Sequence, residues 1–443
     1  MTPPFGRQLP NIVTPPPGPR SRGLASRLRG VESRNITHVA DDWPVFWQEA
    51  AGANVRDADG NVFVDLTGGF GVANAGHANP HVAAAIGAQA ARLPHGLGDV
   101  HPSAVKVELL ERLAAIAPAG LDVSILGTTG ADAVEAALKT AMLATGRSGF
   151  VAFENGYHGL SLGALGVTDR DVSSAPFAAR IGPPARRARY PHADQEGSAD
   201  QSLAEVRRSI DEAHGSATAI AAVVVEPIQG RGGIVVPPPD FMPRLRALCD
   251  EAGVLLIADE IYTVIGRTGR WFACEHTEVV PDILTIGKAL SGTVPISATI
   301  GSAELMRAWP ESQGEALHTS TFLGNPLACA AALANLRVIE ELALLERAAA
   351  LGARVAARTA SWVGSVDGVM GTRGVGLMQG VVLRHAGDEG AADDPLVKRL
   401  MRRGVLALTE GPRGDVLAIT PPLVIQEDQL DHALDVIEEE LRR

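Results

Sequence analysis

Between about residues 76 and 330, short and continuously apolar runs alternate with Ala-rich stretches of helical period. The runs are Val123 to Leu126, Gly149 to Phe153, Ile220 to Val225, Val254 to Ala258 and Ile283 to Ile286. A strand with one wet face alternates apolar and polar residues, whereas these runs have no polar face and read as strands buried on both sides. Stretches such as Ala131 to Ala144 and Phe241 to Ala252 fit the helices between them. Strand and helix in regular alternation predict βαβ units and a mostly parallel sheet flanked by helices, an α/β fold. With 443 residues and 46% hydrophobic content there is ample material for such a core.

The flanks read differently. Pro4, Pro10, Pro15, Pro16, Pro17 and Pro19, followed by an Arg-rich stretch, predict an extended arm over residues 1–34. From Pro44 to Asp65, short apolar runs broken by turn residues at Asp57 to Asn61 predict small antiparallel strands, so residues 35–75 are read as the first part of a smaller domain. The large domain is placed at 76–330. A long Ala/Leu helix from Pro326 to about Ala360 leads into a C-terminal part of the small α+β domain, 331–443, closing on an amphipathic helix from Glu427 to Leu441.

Composition excludes several partners. With 20% charged residues and a net charge of −12, nothing recommends nucleic acid or an anionic membrane as a partner. No apolar run approaches the roughly 20 residues of a spanning helix, and the N-terminus has no apolar signal core. The cysteines Cys249, Cys274 and Cys329 are too scattered for a disulfide framework or a zinc site, so no metal is expected and the cytoplasm is the expected compartment.

Chemistry gathers at three strand ends. The run Val254-Leu-Leu-Ile-Ala closes on Asp259, which places a carboxylate at the C-terminal edge of a parallel sheet, where open α/β folds bind ligands. An isolated Asp there is more often a helix cap. The run Ile283 to Ile286 delivers Lys288 into Gly- and Ser-rich surroundings, an uncommon place for a lysine and one that suits a nucleophilic amine of lowered pKa. After Val123 to Leu126, the turn Gly127-Thr128-Thr129-Gly130-Ala131 opens a helix whose first N–H groups can hold a phosphate. Each signal alone is weak. Together they supply what pyridoxal 5′-phosphate (PLP) requires: an amine for its aldehyde, a carboxylate for its ring nitrogen and a seat for its phosphate.

Further motifs carry a family resemblance from about Gly52 to the C-terminus. They are Gly76-His77, Tyr157-His158-Gly159, Glu226-Pro227-Ile228-Gln229-Gly230, Asp259-Glu260, Gly266-Arg267-Thr268-Gly269, Lys288, and Ser320-Thr321-Phe322 before Gly324-Asn325-Pro326. The chain thereby resembles the class III, or omega, aminotransferases, PLP enzymes of fold type I. The resemblance implies that Lys288 holds the cofactor covalently and acts as general acid and base, with Asp259 as partner of the pyridine nitrogen. It implies a cofactor-binding set of Thr129, Gly130, Ala131, Tyr157, His158, Glu226, Ile261 and Tyr262, with Tyr157 stacked on the ring and Ile261 on its other face. Thr321 would reach the phosphate in a neighbouring subunit, which makes a homodimer, or an assembly of dimers, the expected state. The implied reaction is ping-pong transfer of an amino group from an omega-amino acid or amine to a 2-oxo acid such as pyruvate or 2-oxoglutarate.

Three positions depart from the pattern. Tyr262 stands where many relatives have a glutamine that meets the cofactor's ring oxygen. Relatives that use glutamate or ornithine carry an arginine before the C-terminal Pro-Pro-Leu and a glutamate after Glu-Pro-Ile-Gln-Gly; here those positions are Ala418 and Arg231. Arg231 is therefore the expected carboxylate receptor, Arg413 a competing one, and Phe70 a wall of the substrate pocket. A racemase, epimerase, decarboxylating transaminase or aminomutase of the same fold, or a non-catalytic PLP-fold binding protein, would share most of these residues.

Overall fold

A computed structural model describes residues 4–384 and 395–443. Its large sheet has seven strands: β4 (Val123–Gly127), β5 (Gly149–Phe153), β6 (Arg186–Ala188), β7 (Ile220–Val225), β8 (Leu255–Asp259), β9 (Ile283–Ile286) and β10 (Ser297–Gly301). Three short strands, β1 (Trp47–Ala51), β2 (Asn54–Asp57) and β3 (Val62–Asp65), precede it. The spatial order in the large sheet is β4-β10-β9-β8-β7-β5-β6, and only β10 runs antiparallel to its neighbours.

All six residues of β7 are buried, and they divide between two cores. Val223 and Val225 pack with Leu203, Val206, Met242 and Leu245 on one side, while Ala222 and Val224 pack with Val134, Ala137 and Ala141 on the other. An alternating strand placed between two layers of helices has no polar face to spare, and each such valine contributes about 1.5–3 kcal/mol by burial. β10 is equally buried yet carries Ser297 and Thr299. The Thr299 hydroxyl donates to the Ala133 carbonyl at 2.6 Å, which is how a polar side chain is tolerated there.

Five further strands complete the chain: β11 (Val369–Val375), β12 (Met378–Leu383), β13 (Val405–Leu406), β14 (Leu408–Glu410) and β15 (Val416–Ile419). β13 adds in parallel to β3, so the N- and C-terminal segments share the sheet β1-β2-β3-β13, and the remaining strands form β11-β12-β15-β14. The segment Glu427–Leu441 is helical as expected.

Two expectations are corrected. Within residues 1–34, read as an extended arm, Pro19–Val31 is a helix. Pro19 sits in its first turn, where proline is tolerated, and the cap comes from afar: the Asp59 carboxylate accepts the N–H groups of Arg20 and Ser21 at 2.7 and 2.9 Å. The single long helix from Pro326 to Ala360 is two helices, Pro326–Glu341 and Leu344–Ala360, broken at Ala343 with φ of 47°. The break turns the second helix onto the C-terminal sheet so closely that a Cβ at Gly352 would lie 2.1 Å from the Gly376 carbonyl oxygen. No alanine-rich pattern announces such a turn, because alanine favours continuing the helix.

Candidate functional site

β8 and β9 are parallel neighbours with Asp259 opposite Thr285, so Asp259 and the residues just after Ile286 emerge side by side at one sheet edge. Asp259 is 4% exposed. One of its oxygens lies 2.7 Å from His158 Nδ1, and the other accepts the Ile261 N–H at 3.0 Å. His158 follows β5 and is buried as well, its own N–H held by the Thr168 hydroxyl at 2.9 Å. A carboxylate is tolerated in a buried place where it is this well partnered.

Lys288 opens a short 3-10 turn in the left-handed region, φ 43°, which costs a residue with a Cβ about 1–2 kcal/mol. Its Nζ sits 3.9 Å from the centroid of the Tyr262 ring. Burial pushes its amine down to about 8, against the charges of Asp259, Glu226 and Glu410, which favour the ammonium. An amine poised there gains and loses a proton near neutral pH.

The turn after β4 behaves as expected with one difference. Thr129 caps the helix Gly130–Thr145, accepting the Asp132 N–H at 3.1 Å, while the Asp132 carboxylate takes the N–H groups of Thr128 and Thr129, each at 3.0 Å. Burial raises the Asp132 pKa, but these bonds outweigh it and leave the group below the usual carboxylate range. The donors left to an anion are therefore at the first helical residues, Gly130 and Ala131, which have no acceptor within the helix. A Cβ on Gly130 would come 2.9 Å from Ile261 Cδ1, so glycine permits the helix to start against Ile261.

Tyr157 is half-buried at the front of this edge. The Glu226 carboxylate, pushed up by burial, accepts the N–H groups of Tyr157 and Gly230 at 3.0 Å each and so ties the β5 loop to the β7 loop. Two guanidinium groups, of Arg170 and Arg231, lie 5.9 Å from the Tyr157 ring centroid. Thr321 is exposed in the segment before Pro326, next to exposed Phe322 and Leu317.

The three departures from the family pattern prove to be physically linked. The Tyr262 ring packs with Ala418, Ile228 and Ile234. It is slotted between two glycines, since a Cβ at Gly230 would lie 2.1 Å and one at Gly71 2.5 Å from its ring atoms. Its hydroxyl is turned to Thr420 Oγ1 at 3.5 Å. Arg231 pairs with Glu410 on β14, Nε to Oε2 at 3.3 Å, and the two side chains are 34% and 3% exposed. Arg413 instead points outward, 61% exposed and paired with Asp415 at 2.7 Å. Phe70 is largely exposed and lines a small cleft with Thr67, Tyr262, Leu408, Glu410, Ala418 and Thr420.

Sequence reasoning missed Glu410 and Arg170. Glu410 is a buried acid on a three-residue strand, and only its pairing opposite Val416, next to Ala418, brings it to the site. Arg170 lies thirteen residues beyond Tyr157 and reaches the ring because its Nη2 donates to the Arg231 carbonyl at 2.8 Å.

A buried carboxylate, a lysine of lowered pKa and an open helix start, converging on one sheet edge, are the donor set that PLP demands, and the residues present fit it. The family model "Aminotransferase class-III" matches residues 36–441. The chain is a member of the class III aminotransferases, with the PLP-dependent fold type I architecture and PLP as its cofactor. It is 38% identical to the 5-aminovalerate aminotransferase DavT of Pseudomonas putida, over 89% of this chain and 93% of that protein. It is 37% identical to an acetylornithine aminotransferase of Methanosarcina mazei, over 92% and 94%. Among solved structures, an amine transaminase from an uncultivated Pseudomonas species superposes with a TM-score of 0.84 at 30% identity, covering 93% of this chain and 98% of that one.

Proposed function

We propose that this transaminase moves an amino group from an omega-amino acid or simple amine to a 2-oxo acid, pyruvate or 2-oxoglutarate, by a ping-pong cycle in which Lys288 is the covalent and proton-transferring residue. The observation that carries the reading is the lysine beside Asp259 at the sheet edge, its Nζ over the Tyr262 ring and its pKa lowered to about 8. Bound PLP supplies the aldehyde that takes up the amino group and a ring that spreads negative charge from the reacting carbon.

The protein's residues do the rest. Asp259, held by His158 and the Ile261 N–H, would keep a proton on the ring nitrogen of the bound cofactor. With the cofactor bound, Lys288 Nζ would serve as the base and acid that takes a proton from the substrate carbon bearing the amine and gives it back on the cofactor side of the amine nitrogen. The Tyr262 ring face steadies the ammonium form of Lys288 between these events. Tyr157 and Ile261 would enclose the ring, and the helix start at Gly130 and Ala131 would seat the phosphate. Arg231 receives the carboxylate of the oxo acid through its forked donors, leaving Arg413 outside the site.

The test is the half-reaction: purified holoenzyme is mixed with alanine, 4-aminobutyrate, ornithine, glutamate or 1-phenylethylamine while the visible band of the bound cofactor is followed. Bleaching that pyruvate or 2-oxoglutarate reverses is the expected result; no bleaching with any donor would defeat the reading in favour of an isomerase. We also infer a homodimer in the cytoplasm. Exposed Leu93, Leu97, Val100, Leu317 and Phe322 around Thr321 support the first, and three buried free cysteines the second. Sedimentation as a monomer at micromolar concentration would rule the dimer out.

A further inference from the structure

Glu410 is the one carboxylate among the described residues that both lines the cleft beside Phe70 and Tyr262 and influences the charge state of Lys288. Nothing in the chemistry assigned to Lys288, Asp259 and Arg231 uses it. A side chain 3% exposed, on a short strand between two loops, is a costly place for an acid unless something cationic meets it there.

Arg231 is that cation at rest, but the pair is loose. Its contacts are 3.3 and 3.5 Å, at the long limit of a hydrogen bond, and Glu410 Oε2 has no hydrogen-bond partner. Arg231 is a third exposed and its guanidinium also lies 5.9 Å from the Tyr157 ring centroid, whereas Glu410 is buried on a strand paired with β15. The more exposed partner is thus the arginine, and the buried one is the acid.

We propose that Glu410 is a specificity-determining residue for the amino donor: it receives the distal ammonium of a diamine whose other amine reacts at Lys288, Arg231 withdrawing towards Tyr157 as the donor enters. The proposal rests on the donor reading above and deepens it. In the second half of the cycle the roles exchange, with the oxo acid's carboxylate on Arg231, so one ion pair serves two substrates of opposite distal charge at one site. The aromatic faces of Phe70 and Tyr262, on the same cleft, attract a passing ammonium as well.

The experiment compares 1,5-diaminopentane with 1-aminohexane, the same length with a methyl in place of the distal ammonium, as donors to the holoenzyme. The concentration dependence of the half-reaction separates apparent dissociation constant from maximal rate. The wild type is expected to bind the diamine at least about tenfold more tightly than the monoamine, the scale of one charge-assisted hydrogen bond, with the difference in the dissociation constant rather than the rate. In Glu410→Gln that ratio should collapse towards one, and Glu410→Asp should restore part of it. A wild type that accepts both amines without preference, or a ratio unchanged in Glu410→Gln, overturns the proposal and leaves the donor reading standing. Should Glu410→Gln fail to fold, the wild-type ratio alone decides. No bleaching with either amine brings down the donor reading and the proposal with it.

Discussion

The two ends of the site are built to different tolerances. At the cofactor end Asp259 and His158 are buried, meet at 2.7 Å and are each held by a second bond. At the other end Arg231 and Glu410 meet at 3.3 Å, the arginine side chain 34% and the glutamate 3% exposed. In the function proposed above, the first arrangement does one thing for every substrate, namely keep a proton on a ring nitrogen, and it gains from rigidity. In the same proposal the second admits two substrates in turn, and it gains from a contact weak enough to be exchanged. Arg267, buried in the same fold, shows the rigid alternative for an arginine: it donates to the Leu377 and Pro421 carbonyls at 2.8 and 2.7 Å, and burial lowers it to about 10. Arg231 has no such anchors.

Perturbing the rigid end should have the largest effect. Lys288→Ala is expected to abolish both the visible band and turnover, and full activity in that variant would remove the assignment. In the wild-type apoenzyme the amine, lowered to about 8, must lose its proton before it captures the cofactor. The rate of recombination with added PLP should therefore rise with pH up to about 8 and flatten above it; a rise continuing to the ordinary lysine range would refute the shift.

At the exchangeable end the effect should be smaller and selective. Arg231→Ala is expected to raise the oxo-acid KM by roughly tenfold to a hundredfold, the range for losing a charge-assisted bond, while Arg413→Ala changes it by no more than about twofold. Equal effects in the two variants would mean that the resting geometry misidentifies the receptor. Smallest of all, Tyr262→Phe removes a hydroxyl whose bond to Thr420 is 3.5 Å long and keeps the ring beneath Lys288. Its kcat should stay within about threefold, since a hydrogen bond this long contributes well under about 1 kcal/mol. A larger loss would show that the phenol turns towards the cofactor during turnover.

Much of the fold was legible because its central strands are buried on both faces. Ile220–Val225, Gly149–Phe153 and Ile283–Ile286 were bounded from apolar runs alone. β10 escaped because Ser297 and Thr299 interrupt its apolar text, and what makes Thr299 acceptable is a carbonyl on a distant helix. The helix Pro19–Val31 escaped for a similar reason, its cap being Asp59 rather than a neighbour.

Within the site the same division holds. Lys288, Asp259 and the Thr129 turn could be named from the chain because each follows directly on an apolar strand, and parallel strands bring their ends to one edge whatever the loops do. That determined the cofactor and the class of reaction. The exchange at Ala418 and Arg231 was visible as a change of letters, but its meaning was not. Only the packing of β14 against β15 brings Glu410 to Arg231, and only the space left between Gly71 and Gly230 seats the Tyr262 ring under the lysine. These are contacts between residues 179 and 26 positions apart, Glu410 from Arg231 and Lys288 from Tyr262. Local sequence preference carries no information about which side chains will share a cleft; chain packing decides that.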